Sequence, residues 1–362
     1  MSKQRLHFID WMKCLGMALI VFGHVSVSTD RLAPPIYPKQ LGVAFFMFVT
    51  GFSLALETRP RREVLFNRLF EIYLFGIAFA LFLSVVNYVL ISRLTLSNYL
   101  PFLLGSNVVF NNFPANPTTW YIGTYIHVLL LWALVLRGVR VRAWMIAPVC
   151  IFEIITRAVL EGFVGPYVSY MVLPNWATVF LLGVYCGQKR ENEADFSRMA
   201  LPLVGLGALL VVWPVASWLW LRPSAQFPFM HFGLGSELAD LAVGSAATTV
   251  IYLTYTYLVY EITRRLPASG VVRFFARNTL IIFIGHMPLY SALLVLLKDW
   301  TTDYVGLVAV RFFACFVLLA LFSEAIHRLI GPARLRERVW QMSFGRSLPR
   351  SETLPTKQLT TV

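Results

Sequence analysis

The chain predicts an all-α integral membrane protein, with about ten transmembrane helices and both termini cytoplasmic. Three observations lead to that fold class. Hydrophobic residues make up 58% of the 362 residues and charged residues only 14%, and mean hydropathy is +0.67, far from the balance of water-soluble domains. Ten apolar stretches supply, or nearly supply, the roughly 20 residues that a spanning helix needs. The loops between them alternate between rich and poor in Lys and Arg, the positive-inside pattern.

In chain order the expected spans are 10–28, 41–56, 69–92, 119–137, 144–163, 172–188, 199–222, 241–263, 277–298 and 306–330, the second and sixth being short. The stretch 97–110 is apolar but short and contains Pro101 and Gly105, which suits a re-entrant or interfacial piece. Lys3 and Arg5 precede the first span, and Arg59, Arg61, Arg62 and Arg68 follow the second. Arg137, Arg140 and Arg142 follow the fourth, Lys189 and Arg190 the sixth, and Arg264, Arg265 and Arg273 the eighth. This alternation puts loops 57–68 and 137–143 on the cytoplasmic side and 93–117 and 223–240 outside. The net charge of +13 is therefore an expression of topology, and a nucleic-acid partner is not expected.

The first apolar segment has no small-residue cleavage site, so it is expected to stay as a helix rather than act as a cleaved signal. Cys14, Cys150, Cys186 and Cys315 all fall inside spans without paired spacing, and they read as small packing residues with no metal site. Residues 1–332 form one transmembrane domain, and 333–362 a basic, partly disordered cytoplasmic tail. No internal repeat or matched pair of broken helices is visible, which weakens a secondary-transporter reading.

Chemistry concentrates in the first span, FIDWMKCLGMALIVFGHVS at 8–26. Lys13 and His24 stand eleven residues apart, which is three helical turns plus about 20°, so they share one face roughly 16 Å apart along the axis. Asp10 lies close to the same stripe. Ionisable groups inside a span are costly and point to function, although Lys13 also suits snorkelling to the headgroups and His24 a bond to a neighbouring helix. With Arg68 opening the third span, a cationic cytoplasmic mouth leads along a helix face to a histidine deep in the membrane. Lys and Arg hold phosphates through charge-assisted hydrogen bonds. A histidine at the far end serves as a general base or accepts an acyl group. A phosphate-headed donor on a long arm, acyl-CoA, suits that arrangement.

These residues resemble the opening signature of the acyltransferase 3 family, integral-membrane enzymes that O-acylate sugars and other extracytoplasmic acceptors. The signature is an Asp, a cation three residues on, and a His eleven beyond, here Asp10, Lys13 and His24. A paired-Phe segment ending in Ser-Gly-Phe is similar to FFMFVTGFSLA at 45–55, with Thr50 for the usual Ser. Of two arginines three apart before a Tyr-containing helix, Arg68 matches the second, while Leu65 stands where the first belongs. Arg59, Arg61 and Arg62 are candidate substitutes. The resemblance continues through TTWYIGTYIHVLLLW at 118–132, NWATVFLLGVYCG at 175–187 and NTLIIFIGHMPLY at 278–290.

The resemblance implies that His24 is the catalytic residue, with Asp10, Lys13, Arg68 and Arg62 binding or organising the donor. Helical spacing adds Thr279, His286 and Tyr290 on the ninth span and Trp120, Thr124 and His127 on the fourth. Of these, His286, His127, Trp120, Thr279 and Tyr290 are the candidates for substrate positioning, although each stripe equally suits interhelical bonding. Glu153 and Arg157 read as a structural i,i+4 ion pair. Glu237 and Asp240 read as loop charge, and His7, His231 and His327 are given no role.

The expected function is transfer of an acyl group, most simply acetyl, from cytoplasmic acyl-CoA to a hydroxyl of a cell-envelope sugar or glycolipid. Acyl-CoA is a co-substrate, with no resident cofactor. The expected setting is a bacterial-type inner membrane, with lipid as a partner. Two alternatives stand beside it: a proton-coupled secondary transporter using His24, His127 and His286 as a relay, and a transmembrane acyl carrier feeding a partner transferase.

Overall fold

The computed structural model describes residues 6–25, 38–78, 81–82, 85, 88–89, 100–113, 117–189, 199–220, 232–297 and 304–345. Every regular element among them is helical. The long elements are α1 (His7–Val25), α2 (Pro38–Ala55) and α3 (Arg61–Glu71, continued by a π-helical stretch Ile72–Ile77). A short α4 (Leu100–Leu103) precedes α5 (Trp120–Leu131, continued as π-helix Trp132–Leu136). Next come α6 (Ile146–Val164), the short α7 (Pro166–Met171), α8 (Ala177–Lys189), α9 (Ala200–Trp220) and α10 (Glu237–Thr263). The chain finishes with α11 (Gly270–Arg277), α12 (Thr279–Leu296), α13 (Tyr304–Phe313), a π-helical stretch Ala314–Leu318, α14 (Leu319–Ile330) and α15 (Pro332–Phe344).

Five described helical segments are long and apolar enough to cross a membrane: 7–25, 143–164, 237–263, 279–296 and 305–330. Shorter apolar helices cover 39–55, 120–136 and 200–212. The outer surface suits hydrocarbon, since large side chains such as Phe163, Leu201, Val305 and Leu329 are exposed. Several expected boundaries shift. The expected sixth span opens with a 3-10 turn, Leu173–Trp176, and only Ala177–Lys189 is α-helical; Pro174 has no N–H to extend a helix backwards. The expected ninth span starts two residues late, at Thr279, after Asn278, whose amide donates to the Phe274 carbonyl at 2.8 Å and whose side-chain oxygen accepts from Ser323 at 2.7 Å. Most of 79–92, and all of 93–99, 223–231 and 346–362, lie outside the described residues.

Lipid is as apolar as a leucine side chain, so helices in a bilayer associate through close packing and polar bonds rather than through burial from water. Both devices appear. Gly16 on α1 faces Gly42 on α2 so closely that a Cβ at position 42 would lie 2.4 Å from the Gly16 carbonyl oxygen. Gly51 on α2 and Gly183 on α8 repeat the device, a Cβ on Gly183 falling 2.1 Å from the Phe48 carbonyl oxygen. Glycine is therefore required where α1, α2 and α8 meet.

The polar device is centred on Arg157 of α6. Its guanidinium pairs with Glu153 and Asn175. It also donates to the Ser245 carbonyl at 2.6 Å and to the Thr249 hydroxyl at 2.7 Å. Glu153 accepts from the Thr178 backbone N–H at 2.7 Å and from Thr249 at 2.8 Å. The expected i,i+4 pair is thus the centre of a buried network that joins α6, α8 and α10. A lone ion pair at that depth would carry a heavy desolvation cost, which these extra bonds offset.

The basic loops are tied together at one end. Arg137 donates to the Arg59 carbonyl at 2.7 Å, Gln188 bonds Val139 and Val141, and the Trp11 indole donates to the Pro267 carbonyl at 2.9 Å. Burial alone would raise the Glu57 carboxyl, but the bonds and charge of Arg59 outweigh it and hold its pKa below the usual value. The first part of the basic tail folds as α15 and packs on α3. Trp340 is 1% exposed, with its ring 4.9 Å from Phe66.

Candidate active site

The centre of the site is a pair of histidines brought together from α1 and α12. His24 Nδ1 lies 2.9 Å from the Ile20 carbonyl oxygen of its own helix and 3.1 Å from His286 Nε2. His286 repeats the first contact, with Nδ1 3.1 Å from the Ile282 carbonyl oxygen. A carbonyl only accepts, so His286 Nδ1 carries the proton and its Nε2 carries a lone pair. Both groups near His24 Nδ1 are then acceptors, which places the proton there and leaves His24 Nε2 as the basic nitrogen. These contacts favour the Nδ1–H tautomer of His24 and orient its ring. His286 is fully buried, and its carbonyl accepts from the Cys315 thiol at 3.5 Å. Cys315 stands in the π-helical stretch 314–318, a local irregularity often found at functional sites.

His24 lines a cavity of about 270 Å³ with an aromatic wall of Phe113, Trp120, Tyr167 and Tyr170. Lys39, Asn111 and Thr118 bring polar groups to the same space. Asn111 holds a left-handed backbone, φ 49°, which among non-glycine residues suits Asn best. Aromatic faces with a few polar groups are the general pattern of a small-ligand pocket.

A second cavity, of about 590 Å³, opens toward the basic end. Lys13, Arg68, Arg277 and Arg328 line it, together with Tyr121 and Tyr125. Arg68 hydrogen-bonds Tyr125, and Tyr121 hydrogen-bonds Thr50. Glu324 also borders this space and pairs with Arg277 at 2.6 Å and Arg328 at 3.1 Å. Cations outnumber the two carboxylates, Glu71 and Glu324, so the cavity favours an anionic guest.

The structure distributes the residues singled out from sequence unevenly. Lys13, Arg68 and Thr279 line the larger cavity, while His24 and Trp120 line the smaller. Asp10, half-buried on α1, lines neither of these cavities. Arg62 is exposed, and Arg59 is paired with Glu57 at 2.6 Å and Glu63 at 3.7 Å. His127 is bonded to the Gly105 backbone, and Thr124 donates to the Met171 carbonyl, so the fourth-span stripe divides among three environments. Tyr290 is buried beneath Arg311, whose guanidinium carbon is 5.6 Å from its ring centre.

Sequence reasoning missed Lys39, Asn111, Tyr121, Phe283, Arg277 and Arg328. His327, given no role, lines the larger cavity and packs against Phe75, the two rings tilted with centres 4.5 Å apart. One signal for Arg277 was available, since it immediately precedes the NTLIIFIGHMPLY phrase.

The geometry thus sets a pair of histidines beside an aromatic cavity and a cationic cavity next to it. No curated protein and no solved structure matches the chain. The sequence pattern of the acyltransferase domain, however, matches residues 6–323. That span includes both histidines, Lys13 and Arg68, and excludes Arg328 and α15. The chain belongs to the acyltransferase 3 family and is a multi-pass membrane acyltransferase.

Proposed function

We propose that the protein is an O-acyltransferase, in the first instance an O-acetyltransferase, of a bacterial-type inner membrane. In this reading it has ten spans and cytoplasmic termini, and it takes acyl groups from cytoplasmic acyl-CoA. The acceptor is a hydroxyl of a cell-envelope sugar or glycolipid, received in the aromatic cavity beside His24. The observation that carries the proposal is the His24–His286 contact at 3.1 Å, which supports a base poised beside one cavity while a cationic cavity lies on the other side.

In the proposed reaction the acceptor oxygen attacks the thioester carbonyl carbon. His24 Nε2 takes the hydroxyl proton as the C–O bond forms. The tetrahedral adduct collapses with cleavage of the C–S bond, and the imidazolium returns that proton to the departing sulfur. The products are an ester and CoA–SH, with no net change in charge or oxidation state. The His24 Nδ1–H bond to His286 holds the ring in place and stabilises it while it is charged. Lys13 and Arg68, with Arg277 and Arg328, serve the donor's phosphates, and Asp10 and Arg62 stand further out as organising residues. Trp120 and Thr279 touch the guests from either side, whereas His127 and Tyr290 act through helix packing.

The test is release of CoA–SH from acetyl-CoA by the purified protein, with and without envelope glycolipid. Release that depends on acceptor supports the reading. An acyl-protein adduct that accumulates without acceptor favours the carrier alternative, and uptake without thiol release favours a transporter.

A further inference from the structure

Among the described residues that border the two cavities, Phe283 alone belongs to both. Its place follows from helical spacing. Thr279, Phe283 and Met287 stand four residues apart on α12 and so share a face; Thr279 borders the cationic cavity and Met287 the aromatic one. The Phe283 ring is 6% exposed. It lies 5.2 Å from Tyr121, on the cationic side, and 5.9 Å from His286. Tyr121 is itself held by Thr50, and Thr50 by the Phe46 carbonyl at 2.8 Å, so the ring has a fixed wall on one side and the histidine pair on the other.

We infer that Phe283 is the partition between donor and acceptor, and that its ring limits the donor to short acyl groups. The inference rests on the donor reading above. If acyl-CoA enters from the cationic cavity, its thioester must pass this ring to reach His24. The acyl chain and the acceptor hydroxyl must then share about 270 Å³. A two-carbon acyl group occupies little of that space. Each further methylene competes with the acceptor and presses on Phe283, and interiors at crystal-like density accommodate extra methylenes poorly. Phe283 acts on chain length and position, while proton transfer stays with His24.

The experiment compares acetyl-CoA with butyryl-CoA by thiol release, using wild type, Phe283→Leu and Phe283→Ala at matched monodispersity and thermal midpoint. One methylene in an apolar pocket is typically discriminated by about 10–200-fold. Phe283→Ala should therefore raise the butyryl-to-acetyl ratio of kcat/KM by about tenfold or more, with Phe283→Leu between it and wild type. Loss of a merely structural side chain lowers both rates together and leaves the ratio in place, and that result overturns the proposal. If Phe283→Ala does not fold, the ratio in Phe283→Leu decides alone: a rise supports the partition, and no change refutes it. A wild-type protein that releases no thiol from either thioester overturns the donor reading and this proposal with it.

Discussion

Replacing His286 tests the tautomer assignment without touching His24, the proposed base. His24 Nδ1 has two acceptors, the Ile20 carbonyl at 2.9 Å and His286 Nε2 at 3.1 Å. The carbonyl of Ile20 is also the i−4 acceptor for the backbone N–H of residue 24 in α1, so its capacity is shared. When His24 takes a proton, the His286 lone pair is the acceptor that its Nδ1–H does not share with a backbone N–H. A hydrogen bond to a charged group is worth about 1.5–3 kcal/mol, and each 1.36 kcal/mol in a barrier is tenfold in rate. His286→Phe should therefore slow acyl transfer by about 10- to 150-fold. Donor affinity should stay unchanged, because His286 borders neither cavity directly. His286→Gln, whose amide oxygen is able to accept the same proton, should recover part of the loss. The assay is steady-state thiol release, together with donor binding measured on the same preparations. A folded His286→Phe enzyme at full rate, or one more impaired than His24→Ala, refutes the orienting role.

Two further predictions follow from the same geometry. Lys13→Ala and Arg68→Ala should each weaken acyl-CoA binding by about 10- to 150-fold, the value of a lost charge-assisted bond. Lys13→Arg should lose less because the charge persists; equal affinity in wild type and both alanine variants, by calorimetry or thermal-shift titration, overturns the phosphate assignment. Arg157→Leu leaves Glu153 buried and unpaired, which should cost about 3–5 kcal/mol of stability and appear as a large drop in thermal midpoint, whereas an unchanged midpoint removes the network from the account of stability.

The first helix was legible because helical geometry converts spacing directly into direction: eleven residues put Lys13 and His24 on one face whatever surrounds them. The same rule found Thr279 and His286 on α12. It could not choose among partners, since His286 lies 262 positions from His24 and no local pattern separates it from His127. His127 shows the cost of that blindness, because it bonds Gly105 in the short apolar stretch after α4. The missing first arginine at position 65 invited substitutes from nearby, yet Arg59 is held by Glu57. The extra cations at the larger cavity are Arg277 and Arg328, contributed from the far end of the chain. The boundary at Asn278 was hidden for a similar reason. Its side chain bonds to α11 and to Ser323 of α14, a tertiary commitment that hydropathy does not record. The broken start of α8 was partly visible in Pro174, while the role of Asn175 depends on Arg157, 18 residues earlier.

The central claim is that His24 is the base for acyl transfer from acyl-CoA, and thiol release by purified His24→Ala tests it most directly. The variant should insert, purify as a monodisperse species, bind acetyl-CoA as wild type does and lose turnover by a factor of about 10²–10⁴. A folded, donor-binding His24→Ala protein that releases CoA–SH at the wild-type rate would contradict the account.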